Sequence, residues 1–139
     1  MPPRSDPTPY PSQPILLNVE PCLFVTDFPR SLAFFTERLG FKVAFTYGEP
    51  AFYGQVVRDA ALLNVRFVDQ PVFDRSGDED LLSASIWVSD AGRLFTEFEA
   101  AGATFHQGLR REPWHSQGHG GFIVRDPDGN LISFGGRID

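Results

Sequence analysis

Histidine and cysteine are the side chains of this sequence best suited to metal binding or catalysis. His115 and His119 are four residues apart, a spacing that places two imidazoles on one face of a helix. The stretch 114–121 contains three glycines and no helical periodicity, so we expect a mobile loop with solvated histidines. Two alternatives stay open: a weak metal site that combines them with Glu20, or hydrogen bonds to a ligand. Cys22 has no basic neighbour in the sequence, which predicts an inert thiol.

No motif for a nucleophile or for phosphate binding accompanies these residues. None of the serines lies in the strained strand-to-helix turn that exposes a hydrolase nucleophile. The glycines of residues 118–121 are not followed by the helix and lysine of a phosphate-binding loop. The sequence therefore predicts no catalytic residue.

Composition favours one folded domain. The chain has 139 residues, 42% of them hydrophobic, and its single cysteine excludes an intramolecular disulfide. No apolar run approaches the roughly 20 residues that cross a bilayer, and no signal core begins the chain, so we expect a cytoplasmic protein without membrane contact. A net charge of -6 without a basic run argues against nucleic acid and would attract a cationic ligand, with solubility alone as the alternative interpretation of the charge.

Two segments of the chain repeat one pattern: an apolar strand, Val-x-Asp, a helix and a glycine. The helix of the first copy starts at Asp27 and stops at Gly40, and that of the second starts at Asp90 and stops at Gly102. A unit of about fifty residues cannot bury its own apolar face. The copies are therefore expected to pack on each other or on the copies of a partner.

Each copy continues into three further strands. Predicted strands are 16–25, 42–47, 52–58 and 62–68 in the first copy, and 83–88, 104–109, 121–125 and 131–134 in the second. Residues 126–130, Asp-Pro-Asp-Gly-Asn, predict a tight turn. Residues 1–14 are rich in proline and are expected to form a disordered arm. This predicts one domain over 15–139, with βαβββ modules at 15–69 and 81–137.

The pairing of Val25-Thr26-Asp27 and Leu39-Gly40-Phe41 with the late turn at 126–130 resembles the vicinal oxygen chelate superfamily. That superfamily includes glyoxalase I, extradiol dioxygenases, fosfomycin-resistance enzymes and bleomycin-resistance proteins. The resemblance covers residues from about 15 to 137. It implies an α+β fold in which two tandem βαβββ modules form a cup-shaped, glyoxalase-like mixed sheet. A second subunit often completes that cup, so a homodimer is expected.

Metal-dependent members of the superfamily hold a divalent ion at four repeat-related strand positions. The resemblance assigns these positions to Glu20, Asn64, Ser83 and Ser133. Only Glu20 is a good ligand for such an ion, since serine hydroxyls and an asparagine carbonyl are weak donors. The likeness is therefore to the metal-free bleomycin-resistance branch, and no metal or cofactor is expected.

Strand alternation describes what the cup would contain. If Glu20 faces the cup then so does Phe24, and in the second copy Ser83 and Trp87 do the same. Two large aromatics near a carboxylate suit a planar, cationic ligand, although simple core packing is an alternative. The residues predicted to bind the ligand are Glu20, Phe24, Phe52, Tyr53, Ser83, Trp87, Trp114 and Ser133.

We therefore predict a metal-independent binding protein, similar to bleomycin-resistance proteins. It would sequester an aromatic, cationic small molecule, such as a glycopeptide antibiotic, as a homodimer. Two alternatives remain open. One is a metal-dependent enzyme of the glyoxalase or dioxygenase type with a reduced or rearranged site, and the other is a ligand sensor or interaction module.

Overall fold

The computed structural model describes residues 13–72, 80–111 and 118–138. The first module contains β1 (Cys22–Val25), α1 (Phe28–Ala33) continued by a π-helical segment (Phe34–Arg38), β2 (Lys42–Gly48), β3 (Ala51–Arg58) and β4 (Ala61–Phe67). The second contains β5 (Leu82–Val88), α2 (Ala91–Ala100), β6 (Phe105–Arg111), β7 (His119–Arg125) and β8 (Leu131–Arg137). The predicted α+β class and the repeated βαβββ order are confirmed. No helix of the described chain is long and apolar enough to span a membrane.

Each module forms its own four-stranded mixed sheet. The strand order is β1-β4-β3-β2 in the first sheet and β5-β8-β7-β6 in the second. In both sheets the first strand is parallel to the last, and the other pairs are antiparallel. Within the described residues no ladder joins the two sheets, so the cup is not closed by strand pairing. The module limits 15–69 and 81–137 stay predictions.

The helix signals of the two copies act as the sequence predicts. Asp27 Oδ1 accepts a hydrogen bond from the Arg30 backbone N–H at 3.0 Å, and Asp90 Oδ1 accepts one from Arg93 at 2.9 Å. Each aspartate thereby satisfies an amide that the helix leaves unpaired. Gly40 and Gly102 end the helical segments with φ of +73° and +84°, a region that glycine adopts without strain.

The first helix differs from the prediction in its second half. Residues 34–38 form a π-helix, whose turns are wider than those of an α-helix. Phe34 and Phe35 are consecutive, and both are buried. The 3.6-residue period of an α-helix does not predict that two consecutive phenylalanines are both buried in the same core.

The first strand is shorter than predicted. It begins at Cys22 rather than Leu16, because Pro21 has no N–H to donate to a ladder. The Pro21 carbonyl still accepts a hydrogen bond from Asn64 at 2.9 Å. Residues 13–20 are exposed, Leu16 to 98%. The predicted strand over 16–25 is therefore wrong before Cys22. Residues 1–12 of the predicted arm lie outside the described residues.

The two modules share one hydrophobic core between the helices and the sheets. Phe98 on α2 meets Phe134 on β8 edge to face, with ring centroids 5.2 Å apart, and Phe122 on β7 stacks on Phe134 at 5.4 Å. Leu39 and Val65 of the first module belong to the same buried cluster. Burying a side chain of this size contributes roughly 1.5 to 3 kcal/mol. The shared core fixes which side of each sheet faces the helices.

The turn at 126–130 fastens the second module to the end of β1. Asp128 Oδ1 accepts hydrogen bonds from the Thr26 amide at 2.9 Å and the Thr26 hydroxyl at 2.6 Å. Asn130 Nδ2 donates to the Phe24 carbonyl at 3.0 Å. Asp126 is buried and accepts from the Asn130 amide at 2.7 Å. Burial raises the pKa of Asp126 to about 6, although hydrogen bonds from Asn130 oppose the rise. The chemistry of this turn is structural, as predicted.

Candidate functional site

The candidate site lies on the side of each sheet that faces away from the helices, which we call the helix-distal side. Leu23 and Val25 are buried in the core, so alternation turns Cys22 and Phe24 to the helix-distal side of the first sheet. In the second sheet Phe134 contacts α2, so its neighbours in β8 point away from the helix.

A hydrogen-bonded cluster of three polar side chains marks the helix-distal side of the first sheet. Gln55 Nε2 donates to Asn64 Oδ1 at 2.9 Å and to Glu20 Oε1 at 3.2 Å. Asn64 Nδ2 donates to the same Glu20 oxygen at 3.3 Å. The two amides are buried and Glu20 is exposed. The structure thus brings Glu20 and Asn64 together and adds Gln55, which pairs with Asn64 across β3 and β4.

This donor set does not fit the metal site of the metal-dependent superfamily members. One carboxylate and two neutral amides are poor ligands for a transition metal. Burial raises the pKa of the nearby Cys22 thiol, which keeps it in the protonated form that binds metals weakly. Among the described residues, no group of three or more His, Cys, Asp or Glu could hold an ion.

The histidine pair of the sequence does not form one loop motif. His119 begins β7 and pairs with Arg137 on β8, so the predicted loop is wrong at this residue. Its place in a strand of the second sheet separates it from the sheet that holds Asn64 and Gln55. His115 and Trp114 lie outside the described residues.

Aromatic residues gather near the hairpin of β2 and β3. Phe45 and Tyr53 have ring centroids 6.2 Å apart, and Tyr47 meets Phe52 edge to face at 5.6 Å. The Arg66 guanidinium lies 5.4 Å from the centroid of Phe52. A register shift between β2 and β3 leaves Phe52 without a strand partner, and Phe52 contacts Tyr47 and Arg66, both of which pair with Tyr53. Tyr53 shares the side of Gln55, two residues along β3, whereas Phe52 lies at the hairpin end.

Two rows of side chains cross the helix-distal side of the second sheet. The Ser85 row consists of Ser85, Ser133, Ile123 and Gln107, which are paired in that order across β5, β8, β7 and β6. The Ser133 hydroxyl donates to the Ser85 hydroxyl at 2.9 Å. This row gives the sheet hydroxyl groups on β5 and β8 and an amide on β6, with the apolar Ile123 of β7 between them.

The second row, the Trp87 row, consists of Trp87, Gly135, Gly121 and Arg110, paired in the same strand order. Trp87 is 62% exposed. A Cβ added at Gly135 would lie 3.2 Å from the Trp87 ring. The indole therefore lies against a position that has no side chain, and the absence of a Cβ there allows the close approach.

Both rows line one open cavity of about 320 Å³ on the second sheet, which we call the sheet cavity. His119 and Asp80 also line it. A second cavity of about 550 Å³ lies between the modules and is bordered by Arg58 of the first module and Leu94 of the second. Trp87 lines both cavities, as do Ser85, Ile86 and Phe134, so this part of β5 and β8 borders the two accessible spaces.

Asp80, which lines the sheet cavity, ends a short chain of hydrogen bonds that runs through His106 to Arg125. Arg125 Nη2 lies 2.6 Å from His106 Nδ1, and His106 Nε2 lies 2.8 Å from Asp80 Oδ1. Arginine can only donate, so His106 accepts at Nδ1 and donates from Nε2, which defines its tautomer. The chain directs Asp80 toward His106.

The structure separates several of the residues that the sequence grouped. Phe24 and Trp87 lie in different sheets, and neither cavity is lined by Phe24. A register shift between Leu82 and Ala84 interrupts the alternation at Ser83, whose hydroxyl donates to Asn130 Oδ1 at 3.4 Å. The sequence prediction counted alternation forward from Ser83 to Trp87, and alternation alone does not reveal that irregularity. Ser133 does lie beside Ser85 and Trp87 in the sheet cavity.

The repeated modules and their sheets agree with the comparison of the sequence with known families. The family model of the Glyoxalase/Bleomycin resistance protein/Dioxygenase superfamily matches residues 16–134. The chain belongs to this superfamily. The resemblance drawn from the Val-x-Asp and Asp-Pro-Asp-Gly-Asn motifs is thereby confirmed. Among curated proteins, none matches the chain significantly.

Solved structures with the same fold include a bleomycin-binding protein and a bleomycin resistance determinant. TioX from Micromonospora sp. ML1 has a TM-score of 0.69 at 23% identity, over 87% of this chain and 98% of that one. The bleomycin-binding protein from bleomycin-producing Streptomyces verticillus, complexed with copper(II)-bleomycin, has a TM-score of 0.66 at 22% identity, over 88% and 97%. A bleomycin resistance determinant encoded on the transposon Tn5 has a TM-score of 0.65 at 19% identity, over 88% and 98%. At these identities the likeness shows the fold alone.

Proposed function

We propose that this member of the superfamily binds and sequesters an aromatic, cationic small molecule without using a metal. The observation that supports this most strongly is the exposed Trp87, which lies on the wall of the sheet cavity above Gly135. An exposed indole beside a cavity of about 320 Å³ offers a planar ring a stacking surface. Hydroxyls of the Ser85 row provide hydrogen bonds beside it.

The cationic character of the ligand is proposed from the first sheet and from the whole chain. Glu20 presents an exposed carboxylate, with Oε1 held by the amides of Gln55 and Asn64. A net charge of -6 attracts a cation from solution. Phe45 and Tyr53 lie on the helix-distal side of the same sheet and offer further aromatic surface.

We further propose that the protein works as a homodimer in the cytoplasm. The first sheet leaves large apolar side chains exposed to solvent: Tyr47 is 67% exposed and Phe45 is 45% exposed. Exposed apolar surface of this kind is typical of interaction sites. A second copy that placed its second sheet over this side would bring Glu20 near the partner's indole and complete a cup.

A metal-dependent enzyme is the less favoured alternative. It would need ligands that the cluster of Glu20, Gln55 and Asn64 does not provide. The bleomycin-binding neighbour is described as complexed with copper(II)-bleomycin, so its metal comes with the ligand. Binding of an antibiotic therefore does not require a metal site in this chain.

A thermal-shift screen of chelator-treated protein tests the proposed function. The panel contains metal-free bleomycin, copper(II)-bleomycin, other aromatic antibiotics with and without a cationic group, and divalent metal salts. We expect at least one aromatic cationic compound to raise the melting temperature, because a ligand that binds only the folded state stabilises it. Stabilisation by metal salts alone would contradict the proposal.

A further inference from the structure

The Trp87 row places an aromatic ring and a cation at opposite ends of one strip of backbone. Trp87 lies on β5 and Arg110 on β6, and Gly135 and Gly121 lie between them in register. Neighbouring strands are about 4.8 Å apart, so the two end residues are separated by roughly 14 Å of sheet. The Trp87 ring lies over Gly135 and Gly121 has no side chain, so within the described residues this row places no other side chain between Trp87 and Arg110. A planar ring system stacked on Trp87 would extend along it toward Arg110.

The Arg110 guanidinium is available to a ligand. Arg110 is exposed and lines the sheet cavity. Within the described part of the chain its side chain makes no ion pair or hydrogen bond. Its neighbour Arg111 differs, because Arg111 Nη1 donates to the Ile138 carbonyl at 3.4 Å. Consecutive residues thus give one arginine that faces the cavity and one tied to the chain.

A carboxylate, that of Asp80, also lines the cavity. Asp80 accepts from His106, the residue before Gln107 of the Ser85 row, whereas Arg110 belongs to the Trp87 row. Asp80 and Arg110 do not form an ion pair. Asp80 therefore places a carboxylate near Gln107, with the Arg125 guanidinium behind His106 offsetting part of its charge, and Arg110 places a cation beyond Gly121. An anionic group would be attracted to Arg110.

We propose that the sheet cavity selects an aromatic ligand that carries an anionic group, such as a carboxylate, and that Arg110 binds this group while the ring stacks on Trp87. This inference rests on the proposed function and adds a second recognition element to it. A guanidinium binds a carboxylate through two parallel N–H···O hydrogen bonds, which fixes direction as well as charge. A cationic group on the same ligand would point away from Arg110, toward Asp80.

Three naphthalene probes of the same shape test the inference: naphthoate, naphthamide and naphthylmethylammonium. Isothermal titration of the full-length protein measures each dissociation constant at low and at high salt. We expect naphthoate to bind about tenfold more tightly than naphthamide, the gain typical of a hydrogen bond to a charged group. The advantage should shrink at high salt because exposed charges are screened.

Two arginine variants locate the effect. In Arg110→Gln the affinity for naphthoate should fall to that for naphthamide, while binding of naphthamide is unchanged. Arg111→Gln is the matched control, because it removes the same charge from the adjacent residue, and it should keep the preference. Circular dichroism melts of both variants check that neither loses its fold.

Several results would overturn the inference. These are equal binding of naphthoate and naphthamide, tighter binding of the ammonium probe, and a preference for naphthoate that persists in Arg110→Gln. If all three probes bind equally and lose affinity in Trp87→Leu, the anionic group is refuted and the proposed aromatic site stands. If no naphthalene probe binds, the inference fails, whereas the proposed function fails only if the antibiotic screen is also negative.

Discussion

At the scale of single residues, Gly135 explains how the large indole of Trp87 comes close to the backbone of β8. An added Cβ would be 3.2 Å from the Trp87 ring, closer than ordinary van der Waals contact allows. We expect Gly135→Ala to tilt the indole, which shifts its N–H resonance and weakens ligand binding severalfold. The melting temperature should change little, since Trp87 is mostly exposed.

Gly108→Ala provides the matched control on β6, where no atom of the described residues beyond the two chain neighbours lies within 4 Å of the added Cβ. That variant should leave the Trp87 resonance in place. An unchanged indole resonance in Gly135→Ala would mean that the ring does not lie against this position.

The buried Asp126 makes a second prediction at residue scale. Burial raises its pKa from 3.8 to about 6. The folded state therefore holds a proton on this carboxyl between those values, where the unfolded state has lost it. As pH falls from about 7 to about 5, the folded state should gain about 1 kcal/mol from this group. The charged form costs stability at higher pH.

Urea unfolding gives the free energy of unfolding of wild type and of Asp126→Asn at pH 7 and at pH 5. The difference between the two proteins should change between these pH values by the expected gain. Asparagine at 126 does not titrate, so contributions from the other acids cancel. The raised pKa would be refuted if the difference in unfolding free energy did not change with pH, or if the wild type lost stability relative to Asp126→Asn on acidification.

At the scale of elements, the helix ends were predictable because their causes are local. Asp27, Asp90, Gly40 and Gly102 act through hydrogen bonds and dihedral angles within a few residues of themselves. The strand error before Cys22 also has a local cause, since Pro21 was visible in the sequence and signals a strand end.

Residues at the candidate site were harder to predict because their places depend on register between distant strands. Gln55 meets Asn64 only once β3 and β4 are aligned, and Arg110 joins Trp87 only through three strand pairs. His119 was expected in a loop because glycines surround it, yet its pairing with Arg137 makes it a strand residue. The pattern of a single sequence predicts which residues share one side of a strand. It does not predict which strand lies beside it or in which register.

The N-terminal arm gives a prediction for an element. Deleting residues 1–13 should shift the melting temperature by no more than a few degrees, because their prolines cannot join a central strand. Differential scanning calorimetry of the truncated and full-length chains makes the comparison. A large loss of stability would show that the arm packs on the domain or on a partner.

At the scale of the whole molecule, the open sides of the two sheets predict association. Sedimentation equilibrium should give twice the chain mass of 15.5 kDa, because exposed apolar side chains of β2 would be covered. Tyr47→Glu should weaken the dimer, since the new charge would be buried there. Thr46→Glu, on the other side of the same strand, is the control. A monomer mass at every accessible concentration would contradict the dimer.

The central claim is that an aromatic ligand binds at Trp87 without a metal. The most direct measurement is isothermal titration of chelator-treated, metal-analysed protein with the compound that stabilises it most in the screen, for wild type and Trp87→Leu. Stacking on an aromatic is worth roughly 1 to 3 kcal/mol. We therefore expect undiminished binding after metal removal, and binding weakened about tenfold in Trp87→Leu with a nearly unchanged melting temperature. Binding that requires a tightly held metal lost in Glu20→Ala, or that survives in Trp87→Leu, would contradict the account.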